Sequence, residues 1–360
     1  MSAGAGLDLE QRYRRVLRLL PGYYRDRWEE DMVAAFLDGW LTGDPDEDDV
    51  IMEYDRPTWP EVASVAGLAA RLYLGGAGTP RRYFAWGQAV RRAVLAVALV
   101  HATQGVGNLV YLTWRRHQGD WFPALPTSLA GPLPGGFWPA VMNTVDISWI
   151  VIYLALVLGH HRIARVVAAV AVAADFLYLL QGQLAGLLVR PPGTWASFVL
   201  FDFATVMAMA AFHRDAPPVA RRAWLLALPG YYLLVSVPVL VLQATGNRAW
   251  LPDSAGLACL VVSVACLAHA PRVRRRSRAR SGRGDRSGAS GVWSLALTLL
   301  AAAAGTWRVI SLVSYVHYPH LIRVSLVELL ILAVAVALVA PDAARAQTAT
   351  AARPPYPRLG

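Results

Sequence analysis

Polar and apolar residues follow two different rhythms along this chain. Over roughly the first 75 residues the apolar positions recur every three or four, the spacing of one face of a helix. After Ala93 the polar positions thin out and long apolar runs take over. In the first part Leu9, Tyr13, Val16, Leu17 and Leu20 form one stripe, with Arg12, Arg14, Arg15 and Arg18 mostly off it. Asp8 is placed to cap this helix, Glu10 and Arg14 form an i,i+4 pair in the favourable order, and Pro21 and Gly22 end it. A second helix is expected from Tyr23, with Tyr24, Trp28, Met32, Phe36 and Trp40 inward and the pairs Arg25/Glu29 and Arg27/Asp31 on its surface. An acidic loop from Asp44 to Asp55 leads to a third helix from about Pro60 to Leu74, whose buried side is Val62, Val65, Ala69 and Leu72. Three such helices can share one small core, so residues 1–80 read as a three-helix domain.

A bilayer core takes about 20 apolar helical residues to cross. Eight runs qualify, at about 93–113, 138–158, 164–188, 195–212, 224–244, 255–270, 292–315 and 321–340. The expected fold class is therefore all-α: a polytopic transmembrane bundle over 81–340 carrying a small cytosolic head. An Arg-rich stretch at 271–290 separates two spans, and 341–360 reads as a disordered tail.

Composition agrees with a membrane class: of 360 residues 56% are hydrophobic and 16% charged, against roughly 25% charged in soluble domains. All 34 basic residues are arginine. Residues 1–61 carry 15 of the 24 acids against 7 arginines, so the head is net −8 and the remainder +18. No signal-peptide pattern precedes the first span, which leaves the head in the cytosol. On that assignment the inner loops hold thirteen arginines and the outer ones five, consistent with both termini inside a multi-pass plasma-membrane protein. Trp86, Trp224 and Trp293 then fall at inner helix ends and Trp114, Trp138, Trp195 and Trp250 at outer ones, the levels of an aromatic belt.

The basic stretch, with Arg272, Arg274, Arg275, Arg276, Arg278 and Arg280, lies between two spans and lacks interleaved aromatics. It therefore reads as a topology signal in contact with anionic lipid and not as a nucleic-acid site. Docking of the acidic Asp44 to Asp55 segment on it is a further possibility.

The stretches "YRRVLRLLPGYYRDRWEEDMVAAFLD" and "RPTWPEVASVAGLAARLYLGG" resemble the amino-terminal helical module of actinobacterial integral membrane proteins. That module is similar to HAAS signalling-type domains, which neighbour PadR-like regulators, and to the segment preceding the spans of some permeases. The resemblance covers about residues 8–76 and rests on Tyr13, Leu17, Leu20 and Pro21, then Tyr24, Arg25, Glu29, Glu30, Met32 and Phe36. It implies a cytosolic protein-interaction unit tethered to a membrane body. The large extracellular domain of the permease relatives is missing here, because the outer loops are short.

Ionisable residues inside spans are costly and mark candidate sites. They are His101, Asp146, Asp175, Asp202, Arg308 and Glu328. Asp146, Asp202, Arg308 and Glu328 lie six to eight residues from the outer ends and can share one layer. His101, Gln104, Asn108 and Tyr111 share a face of the first span, as do Asn143, Asp146 and Tyr153 on the second. Three readings stand: structural pairing of Arg308 with Glu328 or an Asp, an outward-open pocket for a small ligand or ion, and ion or proton translocation. Cys259 and Cys266, seven apart on one helix, cannot bridge and read as packing residues. The adjacent His160 and His161 read as interfacial residues and His317 and His320 as an outer turn. Gly182 and Gly186 form a small-residue packing pair. No phosphate loop, dinucleotide fingerprint, nucleophile elbow or zinc-protease motif occurs, so no enzyme, cofactor or metal is expected. The expected role is a non-enzymatic signalling component with a cytosolic protein partner, the alternative a transporter or permease subunit.

Overall fold

The computed structural model describes residues 9–41, 43–76, 79–118, 137–184, 195, 197–213, 216–244, 253–278, 288–314 and 319–348. These are helical almost throughout, without a strand among them. Four helices come first: α1 (Leu9–Leu17), α2 (Gly22–Asp38), α3 (Pro45–Tyr54) and α4 (Trp59–Tyr73). The body follows as α5 (Arg81–Gln118), α6 (Phe137–Leu158), α7 (His161–Leu184), α8 (Phe198–Ala211), α9 (Arg221–Ala244), α10 (Ser254–Arg278), α11 (Gly288–Ser314) and α12 (Pro319–Thr348).

The head has one core. Leu9, Tyr13, Leu17 and Leu20 meet Val33 and Phe36 of α2 and Val65, Ala69 and Leu72 of α4, all buried. Tyr13 stacks flat on Phe36 with ring centroids 3.9 Å apart. Trp28 departs from the expected stripe: it is exposed, with the Arg27 guanidinium over its ring, and Val33 is buried in the α2 core. Asp8 lies outside the described residues. The Glu10–Arg14 pair forms at 2.7 Å, and Arg14 also reaches Glu30 of α2.

The acidic segment is a helix, α3, and not a loop. It has no apolar stripe, but Asp44 caps it by accepting from the Asp46 N–H, Pro45 occupies its first turn, and Asp46, Glu47 and Asp48 lie at the positive end of its dipole. At its other end Arg12 donates to the carbonyls of Glu53 and Asp55, tying it to α1. The head is thus built from four helices.

Glu61 makes the join between α2 and α4. Its carboxylate accepts from the Thr58 N–H at 2.6 Å, closing a capping box, and from the Trp40 indole N–H at 2.9 Å. Burial pushes this carboxyl up, but the Trp40 and Thr58 bonds outweigh it and hold it below its ordinary 4.5.

Among the described residues six body helices are long and apolar enough to cross a membrane: the stretches Arg81–Trp114, Ala140–Leu158, His161–Leu184, Ser254–Pro271, Gly291–Val313 and His320–Arg345. Only 28–39% of each apolar window is buried within the chain, so most of that surface faces outward, as in helices that meet lipid. This is the build of a multi-pass helical membrane protein. The other two expected spans are not among the six. The described part of α8 is 14 residues, about 21 Å of helix against about 30 Å of hydrocarbon, and α9 runs for 24 residues with Pro229 and Pro238 inside it.

α5 is the hub. It packs on α6, α8, α9 and α11, and its first turns meet α4. One side of it belongs to a large core with Trp149, Ile152 and Tyr153 of α6, Ala164 and Ala168 of α7, and Met209 of α8. On the other side Ala89 packs with Val292, Leu295 and Ala296 of α11 and Ala343 of α12. Two glycines permit its closest approaches: a methyl group at Gly105 would collide with the Asp146 carbonyl of α6, and one at Gly87 with the Leu74 carbonyl at the end of α4. Cys259 and Cys266 are free and buried, as packing residues of α10 against α11 and α12.

Because Glu61 is held below its ordinary value when folded, its contribution is present above about pH 4.5 and is lost as pH falls through the depressed value. Hydrogen exchange of α4 in the full chain, corrected for intrinsic rates, is expected to show weaker protection at pH 3 than at pH 6. Thr58→Ala lowers the protection at both by about 1 kcal/mol.

Candidate functional site

The ionisable residues of the spans separate into two groups on either side of α5. The first lies among α10, α11 and α12. Arg308 of α11 donates Nη1 to both carboxylate oxygens of Asp253, each at 2.7 Å, and Nη2 meets Glu328 of α12 at 2.5 Å. Arg308 is 3% and Glu328 4% exposed, so both charges have left water, whereas Asp253 remains about one-third exposed. Asp253 precedes α10 and accepts from the Gly256 N–H at 2.8 Å, capping that helix while holding the guanidinium. Gly256 leaves room for this arrangement, because a methyl group there would meet the Glu328 carboxylate and force it to shift. Three helices are thus fastened through one arginine.

Arg308 therefore pairs with Glu328, as one sequence reading has it, and with an aspartate outside every expected span. The clue to Asp253 lay in its position just before an apolar helix, where carboxylates cap.

The second group lies among α5, α6, α7 and α8. His101 Nε2 of α5 is 3.1 Å from Asp202 Oδ1 of α8, and its ring stacks on Trp149 of α6 with centroids 4.3 Å apart. Two turns along α5, the Asn108 amide donates to Asn143 Oδ1 at 3.0 Å and Asp146 Oδ2 at 3.2 Å, both on α6. Asp175 of α7 lies within electrostatic reach of Asp146 and Asp202. Gln104 and Asp146 are exposed, while Asn108, Asn143, Asp175 and Asp202 are half-buried. Tyr153 belongs elsewhere: its hydroxyl donates to the Trp224 carbonyl of α9.

The expected single layer is thus two sites in contact. Phe201 and Trp307, the neighbours of Asp202 and Arg308, meet at 4.9 Å and put the two groups at a common level. Asp202 sits in a π-turn, Phe198–Phe203, of the kind that concentrates at functional positions. That helix ends in a 3₁₀ turn whose Met209 and Phe212 carbonyls accept from Arg165 of α7.

Chemically, the first group is a closed ion triad and the second a line of exchangeable polar contacts. An imidazole against a carboxylate can hold or pass a proton, and the Asn108 contacts can be replaced by a ligand. No set of His, Cys, Asp and Glu suited to a metal ion occurs among the described residues. A groove of about 470 Å³ between α6 and α7 is lined by Ala140, Val141, Val170, Ala171 and Ala174 and by no charged group, so it suits an apolar chain.

The remaining candidates contribute little. His161 lies at the start of α7 near Phe212, and His320 is exposed. Gly182 is buried in α7. Gly186, His317 and Arg280 lie outside the described residues. Arg272, Arg274, Arg275, Arg276 and Arg278 fall on the last turns of α10.

In comparisons with known proteins no family model, no curated protein and no solved structure matches this chain.

Replacing Arg308 with Leu leaves Glu328 buried without its cation. The expected loss is about 3–5 kcal/mol, read as a drop in thermal unfolding temperature in detergent. Asp253→Asn, at the exposed corner of the triad, should cost less.

Proposed function

We propose that this chain is a non-enzymatic signalling or regulatory component of the plasma membrane. Its body crosses the bilayer eight times with both termini in the cytoplasm, α8 and α9 completing the set with the support of their neighbours. The head, HAAS-like as its resemblance implies, presents a surface to a cytosolic regulatory protein, and the polar contacts of α5, α6 and α8 respond to a ligand or to the state of the bilayer.

The observation that carries this reading is the single helix α5. Its Gly87 abuts the last turn of the head, and His101 and Asn108, four and six turns further on, make the polar contacts. A shift of this helix is felt at both ends. The head also leaves Val50 and Tyr54 of α3 and Trp59 at the start of α4 exposed, three large apolar residues available to a protein partner.

The exposed Asp146 carboxylate beside Asn108 and Asn143 favours a second reading, a transporter or permease subunit for a small solute or ion.

Crosslinking in intact cells, followed by purification of the full chain, separates the two. Regulation predicts a cytosolic protein captured by the wild type and lost at least fivefold with Trp59→Ser/Tyr54→Ser, and altered capture with Asp202→Asn. Transport predicts solute flux in reconstituted vesicles that Asp146→Asn abolishes. Capture unaffected by all of these substitutions removes the regulatory reading.

A further inference from the structure

Arg91 stands on α5 one turn beyond Gly87, at the end of the bundle that the head covers. Its side chain is only 3% exposed. Nε donates to the Gly87 carbonyl at 3.4 Å and Nη1 to the Pro217 carbonyl at 3.3 Å, both at the long end of the hydrogen-bond range. Nη2 is buried with no hydrogen-bond partner. Among the described residues no carboxylate pairs with it, and the charge that acts on it is the like charge of Arg92.

A guanidinium cannot escape its cost by losing a proton, and a buried ion without a counter-charge costs several kcal/mol. Two other arginines among the described residues are provided for, the buried Arg308 and the more exposed Arg165. Arg308 has two carboxylates, and Arg165 has carbonyls of a helix end, the nearest at 2.7 Å. Among the described residues Arg91 has two weak contacts and a free donor edge.

The surroundings indicate what it takes. Arg92 lies 4.6 Å over the Trp293 ring, and Trp293 stacks with Trp224 at 6.2 Å. Tryptophans grouped at helix ends mark the level of lipid headgroups, and basic pockets between helices at that level bind anionic ones. A phosphate offers oxygens to both arms of a guanidinium fork, and two adjacent cations match its charge.

We propose that Arg91, assisted by Arg92, is a binding site for a phosphate group, whose oxygens take the Nη2 donor and displace the long contacts to Gly87 and Pro217. The phosphate belongs to an anionic phospholipid or to a free phosphate anion. The residues of this site are other than those of the Arg272–Arg280 stretch, and the proposal is independent of the signalling role.

The test uses the full chain in nanodiscs of phosphatidylcholine alone, of phosphatidylcholine with phosphatidylglycerol, and of phosphatidylcholine with inorganic phosphate against chloride at equal ionic strength. The wild-type unfolding temperature is expected to rise by about 3 °C or more with the lipid, or with phosphate if the free anion is the ligand. Arg91→Gln should remove the rise yet unfold no earlier than the wild type in phosphatidylcholine alone, because it also removes the uncompensated charge. A merely structural arginine predicts lower temperatures in all three. Should Arg91→Gln fail to fold, Arg91→Lys keeps the charge without the fork and is expected to lower retention of whichever ligand the wild type binds, phosphatidylglycerol or phosphate, about tenfold in native mass spectrometry. No rise in the wild type with either anion, an equal rise in Arg91→Gln, or undiminished retention in Arg91→Lys would overturn the assignment.

Discussion

A charge taken out of water must meet its opposite, and in this bundle that requirement decides which helices stay together. Arg308 is buried on α11, and the carboxylates that answer it come from α12 and from the residue capping α10. None of the three helices can rotate or slide without exposing a buried charge to an apolar surrounding. Dispersion and small-residue packing around Cys259, Ala301, Ala304 and Leu332 fill the space between them, but such packing tolerates many registers. The triad selects one.

α5 joins this fastened unit to the more polar one. One of its faces is packed with α11 and α12 through Ala89, and another with α6 and α8 through Ala98 and Ala102. Its contacts with α6 and α8 are neutral or singly paired, as in the Asn108 amide and the His101–Asp202 pair. Such contacts are cheaper to exchange than a buried triad. The molecule therefore has a fixed side and an adjustable side about a common helix, with the head seated on the end of that helix. This arrangement favours the regulatory reading over a simple structural one.

Much of this was legible in the residues. The stripe Leu9, Tyr13, Leu17, Leu20 is buried as its period requires, and the candidate spans coincide with the long apolar runs. What escaped had physical reasons. α3 carries no apolar stripe and depends on its Asp44 cap and on Arg12 from another helix, so periodicity alone reads it as a loop. In the run at 195–212 the expected helix is there, but composition does not report its π-turn or its 3₁₀ end. Asp253 lies outside the apolar runs, at the cap of one, so its place in an intramembrane triad is not marked by hydropathy. Arg91 lies at the margin of a span, where nothing in the residue pattern signals its burial.

The ion triad is tested most directly by comparing thermal unfolding of the full chain in detergent for Arg308→Leu with that of the triple substitution Arg308→Leu/Asp253→Asn/Glu328→Gln. If opposite charges hold α10, α11 and α12 in register, the single substitution loses several kcal/mol and the triple, which leaves no charge behind, recovers most of it. A triple variant as unstable as the single one, or a single variant that unfolds with the wild type, would contradict the account.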